Sequence, residues 1–102
     1  MKFLVTGSNG PGFASLDEGM ALLEEVVHPS FERLLQLEAD GKVIVSGLPV
    51  GERTIVFVLE VDSNDEADKI VQSLPIWPGM DWEVVALQDT SARLNQEKQM
   101  FA

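Results

Sequence analysis

The side chains best suited to proton transfer are one histidine and a pair of acids near the end of the chain. His28 is the single histidine, and imidazole is the side chain whose charge changes closest to neutral pH. Asp81 and Glu83 are two residues apart in a segment with the composition of a strand, so their carboxylates lie on one face. These residues are the candidates for general acid and base catalysis, His28 and Glu83 first.

Each candidate also has a structural interpretation. A lone histidine is more often a surface or capping residue than a catalytic one, and acids at this spacing are common by chance. Asp81 lies beside a turn, where it can cap the turn or pair with a base. Glu83 is either an edge carboxylate or, if it points into an enclosed cavity, a group whose desolvation favours proton uptake.

Aromatic side chains near these acids are the candidates for substrate binding. Trp77 and Trp82, with Phe3 and Phe57, have the size and polarity to line an apolar pocket. Aromatic residues at strand positions more often belong to the core, so both interpretations stay open. The glycine-rich segment Thr6–Gly12 follows a strand, but its spacing differs from a dinucleotide loop and it contains a proline. It is interpreted as a turn.

Composition excludes several classes of function. The 102 residues include no cysteine, so disulfides and thiolate chemistry are absent, and one histidine with no calcium-loop pattern predicts no metal and no cofactor. With 17 acidic against 7 basic residues the net charge is −10, which disfavours nucleic acid and anionic membranes as partners. No apolar run is long enough to cross a membrane, and no signal peptide is evident, so a cytoplasmic location is expected.

The pattern of apolar residues and breakers predicts six core elements. Ser15 and Ser63, each followed three residues later by glutamate, are the serines of capping boxes that begin two helices. In the first helix an apolar stripe recurs at steps of three and four residues, and Pro29 predicts a kink or short break. Four segments are predicted as strands: Lys2–Thr6, Lys42–Leu48, Arg53–Val61 and Trp82–Leu87.

The order strand, helix, strand, strand, helix, strand predicts an α+β protein of the ferredoxin-like βαββαβ type. It is an antiparallel four-stranded sheet with both helices on one face. The predicted domain covers residues 1–88, and residues 89–102 form a C-terminal helical arm. Strands two and three are apolar on both faces, so something covers the second face. A second copy is the simplest cover, and an arm folded over the sheet is the alternative.

The segment Leu74–Leu87 reads LPIWPGMDWEVVAL and resembles the end of muconolactone isomerase-like proteins, which carry a Leu-Pro-aromatic-Pro turn followed by Met-Asp-x-Glu-Val. The element order, the long first helix and the stretch Glu38–Lys42 are also similar to that family. The resemblance implies a dimeric α/β barrel, often assembled into larger rings. It also implies a substrate pocket between the two sheets and a double-bond shift in a small lactone without a cofactor.

Strand two departs from the family, whose isomerases carry basic and aromatic side chains there. This chain has Val43, Ile44, Val45, Ser46 and Gly47 at those positions. A lactone that bears a carboxylate requires a cationic anchor. Beyond Lys42 at the start of the strand, the nearest candidate is Arg53. The predicted substrate-binding residues are therefore Arg53, Trp77, Asp81 and Trp82.

Three functions remain open at this point. The first is a cofactor-free isomerase that acts on a small lactone or carbonyl compound. The second is a non-catalytic protein that binds a small apolar ligand or serves as an assembly subunit, favoured by the apolar second strand. The third is a cofactor-free monooxygenase or haem-binding relative on the same barrel, for which His28 would be the supporting residue. All three imply association with a second copy.

Overall fold

A computed structural model describes residues 1–101 of the chain, and Ala102, the last residue of the predicted arm, lies outside the described residues. The strands are β1 (Lys2–Ser8), β2 (Val43–Gly47), β3 (Ile55–Glu60) and β4 (Asp81–Leu87). The α-helices are α1 (Leu16–Leu22), α2 (His28–Ala39), α3 (Asn64–Gln72) and α4 (Thr90–Gln99), with a π-helical segment (Leu23–Val27) and a 3₁₀ turn (Trp77–Gly79).

The four strands form one antiparallel sheet in the order β2-β3-β1-β4. In the central strand Val5 lies opposite Phe57 of β3 on one side and Val84 of β4 on the other. This topology is the ferredoxin-like α+β fold that the element order predicts. A β-bulge between Val43 and Val45 interrupts the pairing of β2 with β3 and turns the side chain of Ile44 to solvent.

The hydrophobic core lies between the helices and one face of the sheet. Alternate residues of the two central strands, among them Phe3, Val5, Phe57 and Leu59, are buried on this face. The helices contribute Leu34, Leu37, Ala67, Ile70 and Val71. The core also contains Val43 of β2 and three residues outside the regular elements, Val61, Leu74 and Ile76. Both α2 and α3 therefore lie on the same face of the sheet, as predicted.

The first helix continues past Pro29, and the irregularity predicted there as a kink or short break takes the form of a widened turn. Proline lacks the amide that would bond to the carbonyl of Glu25, and the chain adapts by widening one turn into a π-helix. The backbone N–H of His28 bonds to the carbonyl of Leu23, five residues earlier. Because one extra residue fits into this turn, α2 resumes at His28 and Pro29 occupies its first turn, where proline is tolerated.

Both predicted capping boxes are present. The side chains of Ser15 and Ser63 accept hydrogen bonds from the amides of Glu18 and Glu66, each at 3.1 Å. Each glutamate reaches back to the amide one residue before its serine, which is Ala14 for Glu18 and Asp62 for Glu66. Glu66 also accepts a hydrogen bond from Lys42, which connects α3 to the start of β2.

The second face of the sheet carries apolar side chains that no element within residues 1–101 covers. Leu4, Val56 and Val58 point to this face from the central strands and are half-buried. Val45, Val85 and Leu87 flank them and are 56%, 41% and 41% exposed. The sequence prediction of a sheet that is apolar on both faces is thus correct.

The C-terminal helix α4 extends away from the rest of the chain. None of its residues, Thr90–Gln99, is buried, and the longest dimension of the chain is 64 Å against 25 and 21 Å for the other two. An ion pair between Lys2 and Asp89, 3.3 Å apart, fixes the start of the arm beside β1. An arm folded over the open sheet face, the alternative cover, is not observed. Among residues 1–101, no helix has the length and apolarity to cross a membrane.

The Lys42–Glu66 pair makes the stability of the fold sensitive to acid. The hydrogen bond from Lys42, followed by that from the Asp62 amide, lowers the pKa of Glu66 below its ordinary value. A carboxylate with a lowered pKa stabilises the folded state above its unfolded pKa, about 4.3 for glutamate, and loses this contribution as the pH falls. The same pair raises the pKa of Lys42, so its contribution is lost only at strongly alkaline pH.

Replacing Glu66 by glutamine therefore lowers Tm at pH 7, and the gap from the wild type closes as the pH falls to about 3. Thermal unfolding followed by circular dichroism at several pH values measures this gap. Glu32→Gln is the matched control, because Glu32 is an exposed carboxylate on α2, and its Tm should follow the wild type throughout. A Tm difference between Glu66→Gln and the wild type that stays constant with pH would show that the ionised Glu66 carboxylate does not stabilise the fold.

Candidate functional site

An apolar cleft of about 280 Å³ lies at one end of the helix layer. Its walls come from α1 and the π-helical segment, from the loop between β1 and α1, and from the loop between β2 and β3. The 3₁₀ turn and its neighbours close the remaining side. Its apolar lining includes Met20, Leu23, Val27, Phe31, Ile55 and Ile76.

The cleft explains why the apolar stripe of the first helix divides into two halves. The second half, represented by Leu34 and Leu37, is buried in the core. The first half faces the cleft, and Leu16, Met20 and Leu23 are 75%, 51% and 45% exposed. Apolar side chains that line an accessible concave surface are typical of sites for small molecules.

Among the described residues that line the cleft, two are charged, Glu52 and Arg53. Both belong to the exposed loop between β2 and β3. The guanidinium carbon of Arg53 lies 5.9 Å from the centre of the Phe13 ring, within the range of a cation–π contact. The cleft thus combines an apolar interior with one cation and one carboxylate at its rim, and Arg53 is the one predicted site residue that lines it.

Ser30 connects the π-helical segment to the turn that closes the cleft. Its side chain is fully buried, and the hydroxyl donates a hydrogen bond to the carbonyl of Val26 at 2.7 Å. The same oxygen accepts a hydrogen bond from the amide of Ile76 at 3.0 Å. One side chain therefore satisfies two backbone groups that are 50 residues apart and sets the distance between two walls of the cleft.

The other predicted site residues lie elsewhere. His28 is exposed at the junction of the π-helical segment and α2 and does not line the cleft. Glu83 lies opposite Thr6 on the open face of the sheet, on the far side from the helices. The two residues predicted as acid and base are thus on opposite faces of the sheet within one chain.

The tryptophans form part of a separate groove between α3 and β4. Trp82 packs over Gly7 of β1, where an added Cβ would lie 2.5 Å from the indole ring, so glycine is required there. Its ring meets Phe57 edge to face at a centroid distance of 6.4 Å, and its Nε1 donates to the carbonyl of Trp77 at 2.9 Å. These contacts make Trp82 a packing residue at the core boundary, while Trp77 is 38% exposed in the groove.

Asp81 has a structural contact that bears on the cleft. One of its carboxylate oxygens accepts a hydrogen bond from the side-chain amide of Asn9 at 2.7 Å. Asn9 begins the loop after β1 and has a positive φ of 56°, a conformation that asparagine tolerates better than most residues. The aspartate of the Met-Asp-x-Glu-Val motif therefore fixes the loop that forms one wall of the cleft.

Sequence reasoning missed four residues that define the site: Phe13, Gly19, Ser30 and Glu52. The sequence features that could have pointed to these residues were weak. Gly19 interrupts a helical stripe, and Ser30 directly follows the proline, but neither feature points to a particular contact. The partners of Phe13 and Ser30 come from segments distant in sequence, so they become evident only in the folded chain.

The fold and the cleft together define a ferredoxin-like α+β protein with an apolar cleft on the helix side of its sheet. A sequence profile described as muconolactone delta-isomerase matches residues 15–92. The chain therefore belongs to the muconolactone delta-isomerase family. The match includes the LPIWPGMDW segment, which supplies Ile76 and Met80 to the wall of the cleft.

Solved structures agree with this assignment of the fold. A crystal structure of muconolactone isomerase is 22% identical, with a TM-score of 0.73, covering 89% of this chain and 93% of that one. A complex of 5-chloro-2-hydroxyhydroquinone dehydrochlorinase from Burkholderia phenoliruptrix AC1100 with 2,5-dihydroxybenzoquinone is 19% identical, with a TM-score of 0.62. It covers 90% of this chain and 98% of that one. The search of curated proteins gives no match.

Replacing Ser30 by alanine should destabilise the protein by about 1–3 kcal/mol, because the buried amide of Ile76 loses its hydrogen-bond acceptor. Chemical denaturation measures the change. Ser73→Ala is the matched control, since Ser73 also donates to a backbone carbonyl, that of Ile70 at 2.6 Å, but is exposed. If the two variants lose the same stability, the buried connection is not the reason for the effect.

Proposed function

We propose that this protein is a cofactor-free isomerase that acts on a small lactone or related carbonyl compound bound in the helix-side cleft. The observation that carries the proposal is the cleft itself, which is apolar inside and has Glu52 and Arg53 at its rim. Its volume of about 280 Å³ suits a compound with one small ring and a short substituent. Membership of the muconolactone delta-isomerase family supports the reaction class.

The reaction needs one group that removes a proton and returns it elsewhere. In an unsaturated lactone, a base takes a proton from the carbon next to the double bond, and the electron pair extends through the double bond toward the carbonyl oxygen. Return of the proton at the other end of this conjugated system moves the double bond without any net change in composition. Such proton transfer by a positioned side chain contributes about 10²–10⁴-fold to the rate.

Glu52 is the carboxylate that suits this role, because it is the one acid among the described residues of the cleft wall. Arg53 lies next to it and provides positive charge for the developing enolate oxygen or for a carboxylate on the substrate. His28 is exposed and away from the cleft, so its proposed catalytic role has little geometric support.

A second location for the chemistry involves the open face of the sheet. If two copies pair through this face, Glu83 of each chain lies at the boundary of the enclosed space, beside Thr6. This arrangement retains the role first proposed for Glu83 and differs from the cleft in its dependence on association.

The assembly that we propose is a homodimer through the open sheet face. Six apolar side chains from all four strands lie there, and Val45, Val85 and Leu87 keep 41–56% of their surface exposed. Monomeric proteins seldom leave a contiguous apolar face of this kind in water. A second copy that presents the same face satisfies both chains through one symmetric contact.

The alternative function is a non-catalytic member of the family that binds a small apolar ligand. It is favoured by the composition of the cleft wall, which includes no histidine and a single, exposed carboxylate among its described residues. A ligand-binding protein and an isomerase would share the cleft and would differ in turnover.

Glu52→Gln should lower kcat for isomerisation of a small unsaturated lactone by about 10²–10⁴-fold while leaving Tm unchanged. Ultraviolet absorbance follows the shift of the double bond. His28→Ala and Glu83→Gln are assayed in parallel, and each should stay close to the wild type. Loss of activity in Glu83→Gln alone would move the reaction to the space between the sheets. Binding without turnover in the wild type would favour the non-catalytic alternative.

Val58→Asp should convert the dimer to a monomer, because it places a charge at the centre of the open face. Light scattering measures the mass, and circular dichroism checks that the fold is retained. Val50→Asp is the matched control, since Val50 is fully exposed in the loop between β2 and β3. By contrast, aspartate at Ile55 or Phe57 should unfold the chain, as both are buried beneath the helices. A wild-type monomer, or a Val58→Asp dimer, would contradict the proposed interface.

A further inference from the structure

Phe13 occupies an unusual position at the cleft. It lies in the loop after β1, is 54% exposed, and lines the cleft on its open side. Its ring nevertheless contacts two other elements, which are α1 at Gly19 and the loop between β2 and β3 at Arg53. These two contacts give the exposed ring of Phe13 a defined position, unlike that of an isolated apolar side chain on a protein surface.

Gly19 provides the space for this ring. It is the buried residue of α1 within Leu16–Leu22, although its neighbours are exposed. A Cβ added there would lie 2.8 Å from Cδ2 of Phe13, closer than side chains approach one another. Glycine inside a helix is destabilising relative to alanine, so its presence here needs a reason. The reason is that only glycine leaves room for the Phe13 ring against α1, and this position of the ring is called its seat.

The loop that carries Phe13 is fastened at its base. Asn9 donates to Asp81 at 2.7 Å, and the amide of Gly10 donates to the carbonyl of Arg53 at 3.3 Å. Pro11 packs against Gly79, where an added Cβ would lie 3.4 Å from the proline ring. These contacts hold the first three residues of the loop against two other parts of the cleft wall.

The tip of the loop is held differently. Phe13 is retained by its contact with Gly19 and by the cation–π contact with Arg53, whose guanidinium carbon is 5.9 Å from the ring centre. Both are contacts of the ring alone, so the side chain can turn away while the amide of Ala14, the next residue, stays bonded to the carboxylate of Glu18. The backbone is thus held on both sides of Phe13, and the ring is the part of the loop that can move by a change of rotamer.

From this geometry we propose that Phe13 is the gate of the cleft. Its ring narrows the opening when it is seated between Gly19 and Arg53, as it is in this structure, and it must leave this seat for a bulky molecule to enter or depart. Phe13 thereby limits the size of the molecule that enters the cleft. This inference deepens the proposed function, because it assumes that the cleft is the binding site, but its test requires no substrate.

A single introduced thiol reports on access to the cleft, because the chain contains no cysteine. Val27→Cys places this thiol in the cleft wall, where Val27 is partly buried, and the substitution preserves size. The thiolate attacks one sulfur of the neutral reagent 4,4′-dithiodipyridine, a mixed disulfide forms, and 4-thiopyridone leaves and is followed by its absorbance. Methyl methanethiosulfonate, a much smaller reagent, measures the intrinsic reactivity of the same thiol.

Adding Phe13→Ala or Gly19→Ala to the Val27→Cys protein should accelerate labelling by 4,4′-dithiodipyridine about tenfold or more, because each shifts the population toward the open state. Labelling by the smaller reagent should change much less. Gly19→Ala is the sharper variant, since it keeps the phenylalanine, displaces it from its seat and strengthens the helix. Phe101→Ala is the matched control, as Phe101 is 93% exposed at the end of the arm, and its rates should not change.

Unchanged labelling in the Phe13→Ala protein would overturn the gate. So would unchanged labelling in the Gly19→Ala protein, because the ring would then not depend on the seat that glycine provides. An absence of lactone turnover together with accelerated labelling would defeat the proposed function and leave the gate intact. Turnover by the wild type together with unchanged labelling in both variants would overturn the gate and leave the proposed function intact.

Discussion

The buried hydroxyl of Ser30 is the point on which the arrangement of the cleft depends. A buried backbone amide or carbonyl needs a partner, and Ser30 is the partner of both the Val26 carbonyl and the Ile76 amide. The first belongs to the π-helical turn that Pro29 makes necessary, and the second to the Leu-Pro-Ile-Trp-Pro turn. The widened helix and the family motif are therefore joined through the hydroxyl of Ser30. The cleft opens beside that contact, because the π-helical turn directs Leu23 and Val27 toward it.

The two faces of the sheet differ in what covers them. The face that bears Val5 and Phe57 is covered by α2 and α3 and holds the chain together as a folded unit. The opposite face is apolar at its centre and charged at both ends, with Glu83 beside Thr6 at one end and Lys2 opposite Glu60 at the other. The cleft lies on the helix side, so binding a small molecule there and pairing through the open face do not compete for the same surface. The proposed dimer would present two clefts that face away from its interface.

Sequence patterns predicted the elements better than the site, and particular residues show why. The serines of the two capping boxes mark helix starts through bonds that span three residues. The β-branched residues of β3 mark a strand, but its apolar residues at five consecutive positions do not show which face is buried. Pro29 predicted an irregularity, but the local sequence did not show whether the helix would break or widen by one residue into a π-helical turn. Arg53 was predicted from charge alone and does line the cleft. His28 and Glu83 were chosen for their chemistry, and their separation follows from pairing that no local pattern encodes.

The protruding arm affects how the size of this protein is measured. The radius of gyration is 16.6 Å, whereas a compact chain of about 100 residues has a value near 13 Å. The excess comes from α4, which extends along the 64 Å axis. A single chain of this shape has a larger Stokes radius than a sphere of equal mass and elutes early from a sizing column. Elution volume alone would therefore report association even for a monomer, and only a method that measures mass independently of shape separates the two.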